Sequence, residues 1–337
     1  MSDEKRTPLV EVKDLKKYFK GKKKGTMLHA VDGVSFDIYP SETLGLVGES
    51  GCGKSTVGNV LMRLHSATGG QFLFDGKPVF DAGGEEHMAL CRDIQIVFQD
   101  PYSSINPQKT VRQILSVPYI IHKLASGEEL EKRIEAIAAE VGLSADYLDK
   151  YPHELDGGKR QIVGIARALS LDPKFIVCDE PVSSLDVSIQ ATIINLLMDI
   201  QRKKNLAYLF VSHDLSVVRH ISNRIAVMYL GQIVEIAETE ELFANAQHPY
   251  TLALLSAVPR IDVGHKISRI LLKGDVPSPV DPPDNCCRFA PRCWMASERC
   301  SKEAPQMQDV DGKGHFVACH FCQESRARTQ NAEKSTD

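Results

Sequence analysis

Three stretches predict an α/β fold around a mixed, partly parallel sheet. Thr43-Leu44-Gly45-Leu46-Val47 is an apolar run that breaks into a glycine-rich loop, Gly48 to Thr56, and then into helical spacing at Val57, Val60, Leu61 and Leu64. Phe175-Ile176-Val177-Cys178 is a continuous apolar run, the mark of a parallel strand buried on both faces, and it ends in Asp179-Glu180. Ala207-Tyr208-Leu209-Phe210-Val211 ends in the same way, in Ser212-His213-Asp214. Open α/β sheets gather their ligand-contacting groups at such strand ends.

Taken in order, Leu9-Val10-Glu11-Val12 reads as a strand followed by a basic turn, and Ala30 to Ile38 as a second strand with alternation at Val34, Phe36 and Ile38. These are antiparallel strands ahead of the loop. Tyr18 and Phe19 are aromatics that either stack on a purine ring or pack in the core. The loop itself has the spacing Gly, four residues, Gly-Lys-Ser. Gly48, Ser50, Gly51 and Gly53 aim backbone N–H groups at phosphate oxygens, and the new helix adds its positive end. Lys54 reaches the terminal phosphates as a point charge, while Ser55, with Thr56 behind it, supplies the hydroxyl for Mg²⁺. The residues therefore predict a nucleoside triphosphate site.

Gln71-Phe72-Leu73-Phe74 is strand-like and ends at the turn Asp75-Gly76; Asp93 to Phe98 is a strand with Gln99 at its end. From Thr110 to Tyr151 the pattern turns helical, an insertion between parts of one sheet. Asp156-Gly157-Gly158 then opens a helix over Ile162 to Leu169, with Asp156 an apt N-cap. A helix with Ile189, Ile193, Leu196 and Ile200 follows, and Arg224–Met228 and Gln232–Ile236 read as closing strands.

At 337 residues, 43% hydrophobic and 25% charged, the chain has room for a full core and a small appendage. No apolar run approaches the roughly 18 residues that span a bilayer, and Met1 to Lys5 is no signal peptide, so a cytoplasmic chain is expected. A net charge of −4 gives no general reason to bind nucleic acid. The local run Lys16, Lys17, Lys20, Lys22, Lys23, Lys24 reads as a solvated loop before it reads as a lipid contact.

With these residues in place, the order of motifs resembles the nucleotide-binding domain of an ABC transporter. Gly48 to Thr56 matches the Walker A loop, Gln99 the Q-loop, Leu155 to Gln161 the signature motif and Phe175 to Glu180 the Walker B strand with its catalytic glutamate. Ser184-Leu185-Asp186 matches the D-loop and His213 the switch histidine. The resemblance implies an ABC-type P-loop NTPase core, RecA-like, with an antiparallel β subdomain and a helical subdomain. It favours Phe19 over Tyr18 as the adenine-stacking aromatic. It extends to peptide-importer ATPases through Phe98 to Pro107, Tyr151 to Leu155, His248-Pro249-Tyr250-Thr251, Ala257-Val258-Pro259 and Gly274 to Pro279. The second ATPase of the heterodimeric pair, the DppF and OppF type, is especially similar. The implied organisation is a tail over 1–8, a nucleotide-binding domain over 9–245 with its helical subdomain at about 101–170, a peptide-transporter extension over 246–322, and a disordered tail over 323–337.

The resemblance further implies ATP and Mg²⁺ as ligands. Ser55, Gln99 and Asp179 would hold the metal, Glu180 would polarise the attacking water, and His213 would hold the γ-phosphate. Asp156, Gly157, Gly158 and Asp186 would face the ATP of a partner cassette. That partner would be a second ATPase of the DppD or OppD type. Two membrane permeases and, indirectly, a peptide-binding protein complete the assembly at the cytoplasmic face of the inner membrane, with no nucleic acid involved. Nickel importers of the same group, and ABC ATPases that act on nucleic acid or ribosomes, share the motifs and are the alternatives. A scaffold with dead motifs is opposed by intact Lys54, Asp179, Glu180 and His213.

Two features stand apart. Of nine cysteines, Cys52, Cys91 and Cys178 are scattered fillers, whereas six fall between Cys286 and Cys322. Cys287, Cys293, Cys300 and Cys319 lack the paired Cys-x-x-Cys spacing common in zinc sites, and four thiolates suit zinc or an iron–sulfur cluster. Resemblance to peptide-importer ATPases implies a [4Fe–4S] cluster on these four, with Cys286 and Cys322 as spares. The second feature is the signature, where Asp156 replaces the family's serine and Lys159 its glutamine. A carboxylate about 4 Å from phosphate costs on the order of 4 kcal/mol at an effective dielectric near 20. Either the ATP site completed by Asp156 is slow, or Asp156 is an equivalent N-cap neutralised by Lys159.

Overall fold

The computed structural model describes residues 7–258 and 269–322. The tails expected at 1–8 and 323–337 fall largely outside these residues, as does Pro259. In chain order the strands are β1 (Val10–Lys20), β2 (Met27–Ile38), β3 (Thr43–Val47), β4 (Gly69–Phe74), β5 (Lys77–Pro78), β6 (Ile94–Val97), β7 (Phe175–Asp179), β8 (Ala207–Ser212), β9 (Arg224–Tyr229), β10 (Gln232–Glu238), β11 (Gln308–Asp309) and β12 (Phe316–Val317). The helices are α1 (Lys54–Leu61), α2 (Gly84–Asp93), α3 (Pro101–Ser104), α4 (Val111–Ile121), α5 (Gly127–Glu140), α6 (Gly157–Leu169), α7 (Val187–Lys204), α8 (Leu215–Ile221), α9 (Thr239–Asn245), α10 (Pro249–Ser256) and α11 (Glu298–Lys302). Among the described residues no helix is long and apolar enough to cross a membrane.

The chain divides into two units, the first comprising residues 1–11, 37–43 and 72–212 and the second 12–36, 44–71 and 213–337. In the first unit β6, β7 and β8 are parallel neighbours, with Val97 opposite Cys178 and Cys178 opposite Phe210. Every residue of β7 and β8 is buried, which explains their unbroken apolar sequence. Helix α7 buries Ile193, Ile194, Leu197 and Ile200, and the Tyr208 hydroxyl donates to the Leu197 carbonyl at 3.1 Å. The helical insertion packs α4 and α5 on α6. Its first long helix, α4, starts at a capping box in which Thr110 and Gln113 satisfy each other's backbone N–H. Arg112 then ties α4 to Glu131 and Asp149.

In the second unit β3 lies parallel to β9, with Leu46 opposite Ala226, and β9 is antiparallel to β10. Helix α8 packs over β3 so closely that a Cβ on Gly45 would sit 2.3 Å from Val218 Cγ1. The short strands β12 and β11 of the extension extend this row antiparallel beyond β10. A second lacing joins the extension to β2, where Leu28 bridges Val280 and the Asp281 N–H donates to the Met27 carbonyl at 2.9 Å.

One local expectation differs from the structure. The first strand does not end at Val12 but runs to Lys20, so Lys16, Lys17 and Lys20 belong to a strand and only Lys22 to Lys24 to the turn. Lys17 Nζ donates to the Ser66 carbonyl at 2.8 Å, and Lys16 Nζ pairs with Asp14 at 3.0 Å. The strand pair of the extension carries no long apolar alternation, and its register comes from pairing with β10.

Candidate active site and cysteine pocket

The glycine-rich loop lies between β3 and α1, with Gly53 at the N-cap in left-handed conformation, φ 110°. A Cβ at Gly53 would lie 2.1 Å from the Ala30 carbonyl oxygen, so only glycine lets the loop close against β2. Lys54 is buried, and its ammonium donates to the carbonyls of Gly48 at 2.8 Å and Glu49 at 3.1 Å. The cation is thus held inside the concavity whose N–H groups and helix end favour an anion. Ser50 and Gly51 are exposed at the tip, and Ser55 and Thr56 are half-buried in the first turn of α1.

In the same unit Phe19 and Tyr18 occupy successive positions of β1. Tyr18 is committed: its ring stacks on His29 with centroids 3.9 Å apart and its hydroxyl donates to Asp32. Burial, then the Asp32 contact, raises its pKa well above the usual phenol range. Phe19 forms a T-shaped pair with His65, centroids 5.4 Å apart, with Lys17 Nζ 4.8 Å over its ring centre. His213 is exposed just after β8, and Asp214 caps α8 through the Ser216 N–H at 2.8 Å.

The first unit carries the other motif residues. Asp179 is buried at the end of β7, and Glu180 follows in the left-handed region at φ 44°. A non-glycine residue there is strained unless its neighbours hold it. Two contacts do: the Glu180 N–H donates to the Val211 carbonyl at 3.0 Å, and Gln99 Nε2 donates to Glu180 Oε2 at 3.0 Å. The structure thereby brings Gln99 and Glu180 together. Asp186 caps α7, accepting from Ile189 N–H at 3.0 Å and the Ser188 hydroxyl at 2.7 Å. Gln190 Nε2 closes the preceding turn on the carbonyls of Val182 and Leu185.

Asp156 caps α6. Its carboxylate accepts the Lys159 N–H at 2.8 Å and pairs with the Lys159 ammonium, which also lies 5.0 Å from the Tyr147 ring. These Lys159 contacts hold the Asp156 carboxyl below its ordinary range. Gly157 and Gly158 complete the first turn, where a Cβ on Gly158 would meet Ile189 Cγ2 at 2.7 Å.

Cys287, Cys293, Cys300 and Cys319 line one small cavity of about 10 Å³, walled by Phe289, Met295 and Phe321. Burial, and then the mutual influence of the thiols, raises Cys287 to about 11 and Cys319 to about 12. Backbone N–H groups of Met295 and Phe321 donate to the sulfurs of Cys293 and Cys319 at 3.3 and 3.4 Å. Cys286 and Cys322 do not line this cavity. Among the described residues, the three potential ligand atoms found mutually within 4.8 Å belong to Glu241, Asp311 and His315.

Sequence reasoning missed the residues that hold the loop from outside: Tyr250, whose hydroxyl accepts the Glu49 N–H at 2.8 Å, and Arg292, which forms a bidentate pair with the Glu49 carboxylate. The available signal was a carboxylate at a free position of the loop and an arginine beside a cysteine.

Strand, phosphate loop, helix and motif order together define an ABC-type ATPase cassette. The ABC transporter family matches residues 31–183, and the family described as "Oligopeptide/dipeptide transporter, C-terminal region" matches residues 234–300. The chain is 50% identical to the putative oligopeptide transport ATP-binding protein YkfD of Bacillus subtilis, over 94% of this chain and 96% of that protein. It is 46% identical to the dipeptide transport ATP-binding protein DppF of Haemophilus influenzae, over 93% and 96%. A dimeric post-hydrolysis structure of the ATP-binding cassette MJ0796 with ADP and Pi superposes with a TM-score of 0.62 at 29% identity, covering 68% of this chain and 98% of that one. The chain belongs to the ATP-binding proteins of the oligopeptide and dipeptide ABC transporter family.

Proposed function

We propose that this chain hydrolyses ATP to power import of di- or oligopeptides through a membrane permease. The observation that carries the reading is that relatives named for peptide transport align over nearly the whole chain, including the region beyond the cassette. The chain is read as one half of a head-to-tail cassette pair with a second, DppD- or OppD-like ATPase, bound to two permeases at the inner face of the membrane. Lys54 and the loop N–H groups bind the β- and γ-phosphates, Ser55, Gln99 and Asp179 hold Mg²⁺, and Phe19 stacks on adenine. Glu180 polarises the attacking water and His213 holds the γ-phosphate. The Gln99 contact supports this by holding Glu180 in its strained position. Co-purification with the permeases, followed by ATPase assay with and without a peptide-loaded binding protein, tests the proposal. Stimulation by peptide supports it; stimulation by nickel alone favours the nickel-importer reading.

Four convergent thiols in an apolar pocket, two of them accepting backbone N–H bonds, fit a soft metal centre. Thiolates of this number suit a [4Fe–4S] cubane as well as a zinc ion, and the resemblance to peptide-importer ATPases favours the former. Such a cluster would cross-link the extension. Iron and sulfide analysis of anaerobically purified protein tests this, and folded protein free of both would exclude the cluster.

A further inference from the structure

The arginines beside two of the pocket cysteines both reach the nucleotide-binding half of their unit. Arg292, next to Cys293, has its side chain 7% exposed and grips Glu49 of the phosphate loop with Nη1 at 2.6 Å and Nη2 at 3.1 Å. Arg288, next to Cys287, donates to the Leu230 carbonyl at 2.6 Å and to Asp32. Asp32 in turn takes the Tyr18 hydroxyl and His29 Nδ1, fixing the strand position beside Phe19. Neither arginine belongs to the shared motifs, yet one holds the loop expected to receive phosphate and the other the strand expected to receive adenine.

We infer that Arg292 is a positioning residue for the phosphate loop, and that through it the cysteine pocket sets the affinity for nucleotide. The physical reason is electrostatic and geometric together. Glu49 places a carboxylate in a loop whose ligand is an anion, and the guanidinium neutralises that charge in a fixed fork. The Glu49 carbonyl also accepts the Lys54 ammonium, so displacing Glu49 disturbs the cation that meets the phosphates. Arg292 keeps its place because Cys293, its neighbour, is anchored in the pocket with Cys287, Cys300 and Cys319. The part of this inference that concerns pocket occupancy rests on the cluster reading above; the part that concerns Arg292 does not.

The test uses the full-length chain and trinitrophenyl-ATP with Mg²⁺ as probe, with iron content measured on each sample. Arg292→Ala is expected to weaken binding about tenfold, and Arg292→Lys, which keeps charge but not the fork, by less. Adding Glu49→Gln to Arg292→Ala should recover most of the loss, because the stranded carboxylate is gone, a rescue that a merely structural role would not give. Cys300→Ser, which touches neither arginine, should strip iron, loosen amide exchange over residues 48–54, and weaken binding in the same sense. Wild-type affinity in Arg292→Ala, or loss without rescue by Glu49→Gln, overturns the inference. A wild-type chain free of iron, with Arg292→Ala weak and rescued, overturns the cluster reading and leaves the positioning role standing.

Discussion

His248 should make the stability of this chain acid-sensitive. The imidazole is 1% exposed at the N-cap of α10, accepts the Tyr250 N–H at Nδ1 at 3.1 Å, and lies against Phe289 with ring centres 5.6 Å apart. Burial pushes its pKa from 6.5 down to about 3. In the folded chain the ring stays neutral, whereas the unfolded chain takes up a proton below 6.5. Between those two values the unfolded state binds more protons, so stability is fully present above 6.5 and is lost as pH falls towards 3. At about pH 5 the unfolded ring sits about 1.5 pH units below its pKa, and 1.5 times 1.36 gives about 2 kcal/mol lost relative to neutral pH. The assay is urea unfolding of wild type and His248→Asn at both pH values. Asparagine caps and does not titrate, so the variant starts lower through lost packing but should lose about 2 kcal/mol less on acidification. Equal pH dependence in the two proteins would refute the reasoning. Because α10 delivers the Tyr250 hydroxyl to Glu49 N–H, nucleotide affinity should fall alongside.

Other outcomes follow from single groups. Glu180→Gln keeps the size at φ 44° but removes the carboxylate, so turnover in the assembled complex should drop by about 10² or more with ATP still bound; wild-type hydrolysis would remove Glu180 from the chemistry. Burial alone would lower the pKa of His315, but the hydrogen bond and charge of buried Glu235, with Glu241 and Asp311, outweigh it and raise the value. That stabilisation is present below 6.5 and lost as pH rises through the raised value, so His315→Gln should flatten the alkaline limb of a melting-temperature profile, and an unchanged limb would contradict it. Asp156→Ser with Lys159→Gln should leave the melting temperature nearly unchanged, since serine also caps. The pair should raise ATP turnover only while the partner cassette's own glutamate is intact.

The phosphate loop, the buried strands and the polar groups at their ends were legible because each depends on local chemistry: glycine where a Cβ would strike Ala30, apolar residues where both faces of β7 are covered, a carboxylate where a strand stops. What was not legible depends on partners distant in sequence. Glu49 and Arg292 are 243 positions apart, and neither carries a pattern that names the other. The Glu235 carboxylate is fully buried because Gln247 N–H, His248 N–H and His315 Nε2 converge on it, an arrangement no periodicity announces. Strand β1 runs further than its sequence suggests for a related reason: its lysines look like a turn in one dimension and belong to a strand paired on both sides once the sheet is formed.

The signature shows how a local rule and a functional rule can point to the same residue. As a cap, Asp156 is sound: one carboxylate oxygen accepts the Lys159 N–H and the other meets the Lys159 ammonium, which offsets its charge locally. A serine would satisfy the same N–H and keep a hydroxyl proton to donate, whereas the ionised carboxylate has none. Lys159 can cancel the repulsion but cannot supply the missing donor from the same point, because its ammonium is already drawn back to Asp156 and towards the Tyr147 ring. The cap is therefore kept, while a hydroxyl donor at this position is not. That separation is what the paired substitution reads: helix stability should be indifferent to it, and turnover at the site completed by Asp156 should not. If turnover is indifferent as well, the donor is dispensable and Asp156 is a cap and nothing more.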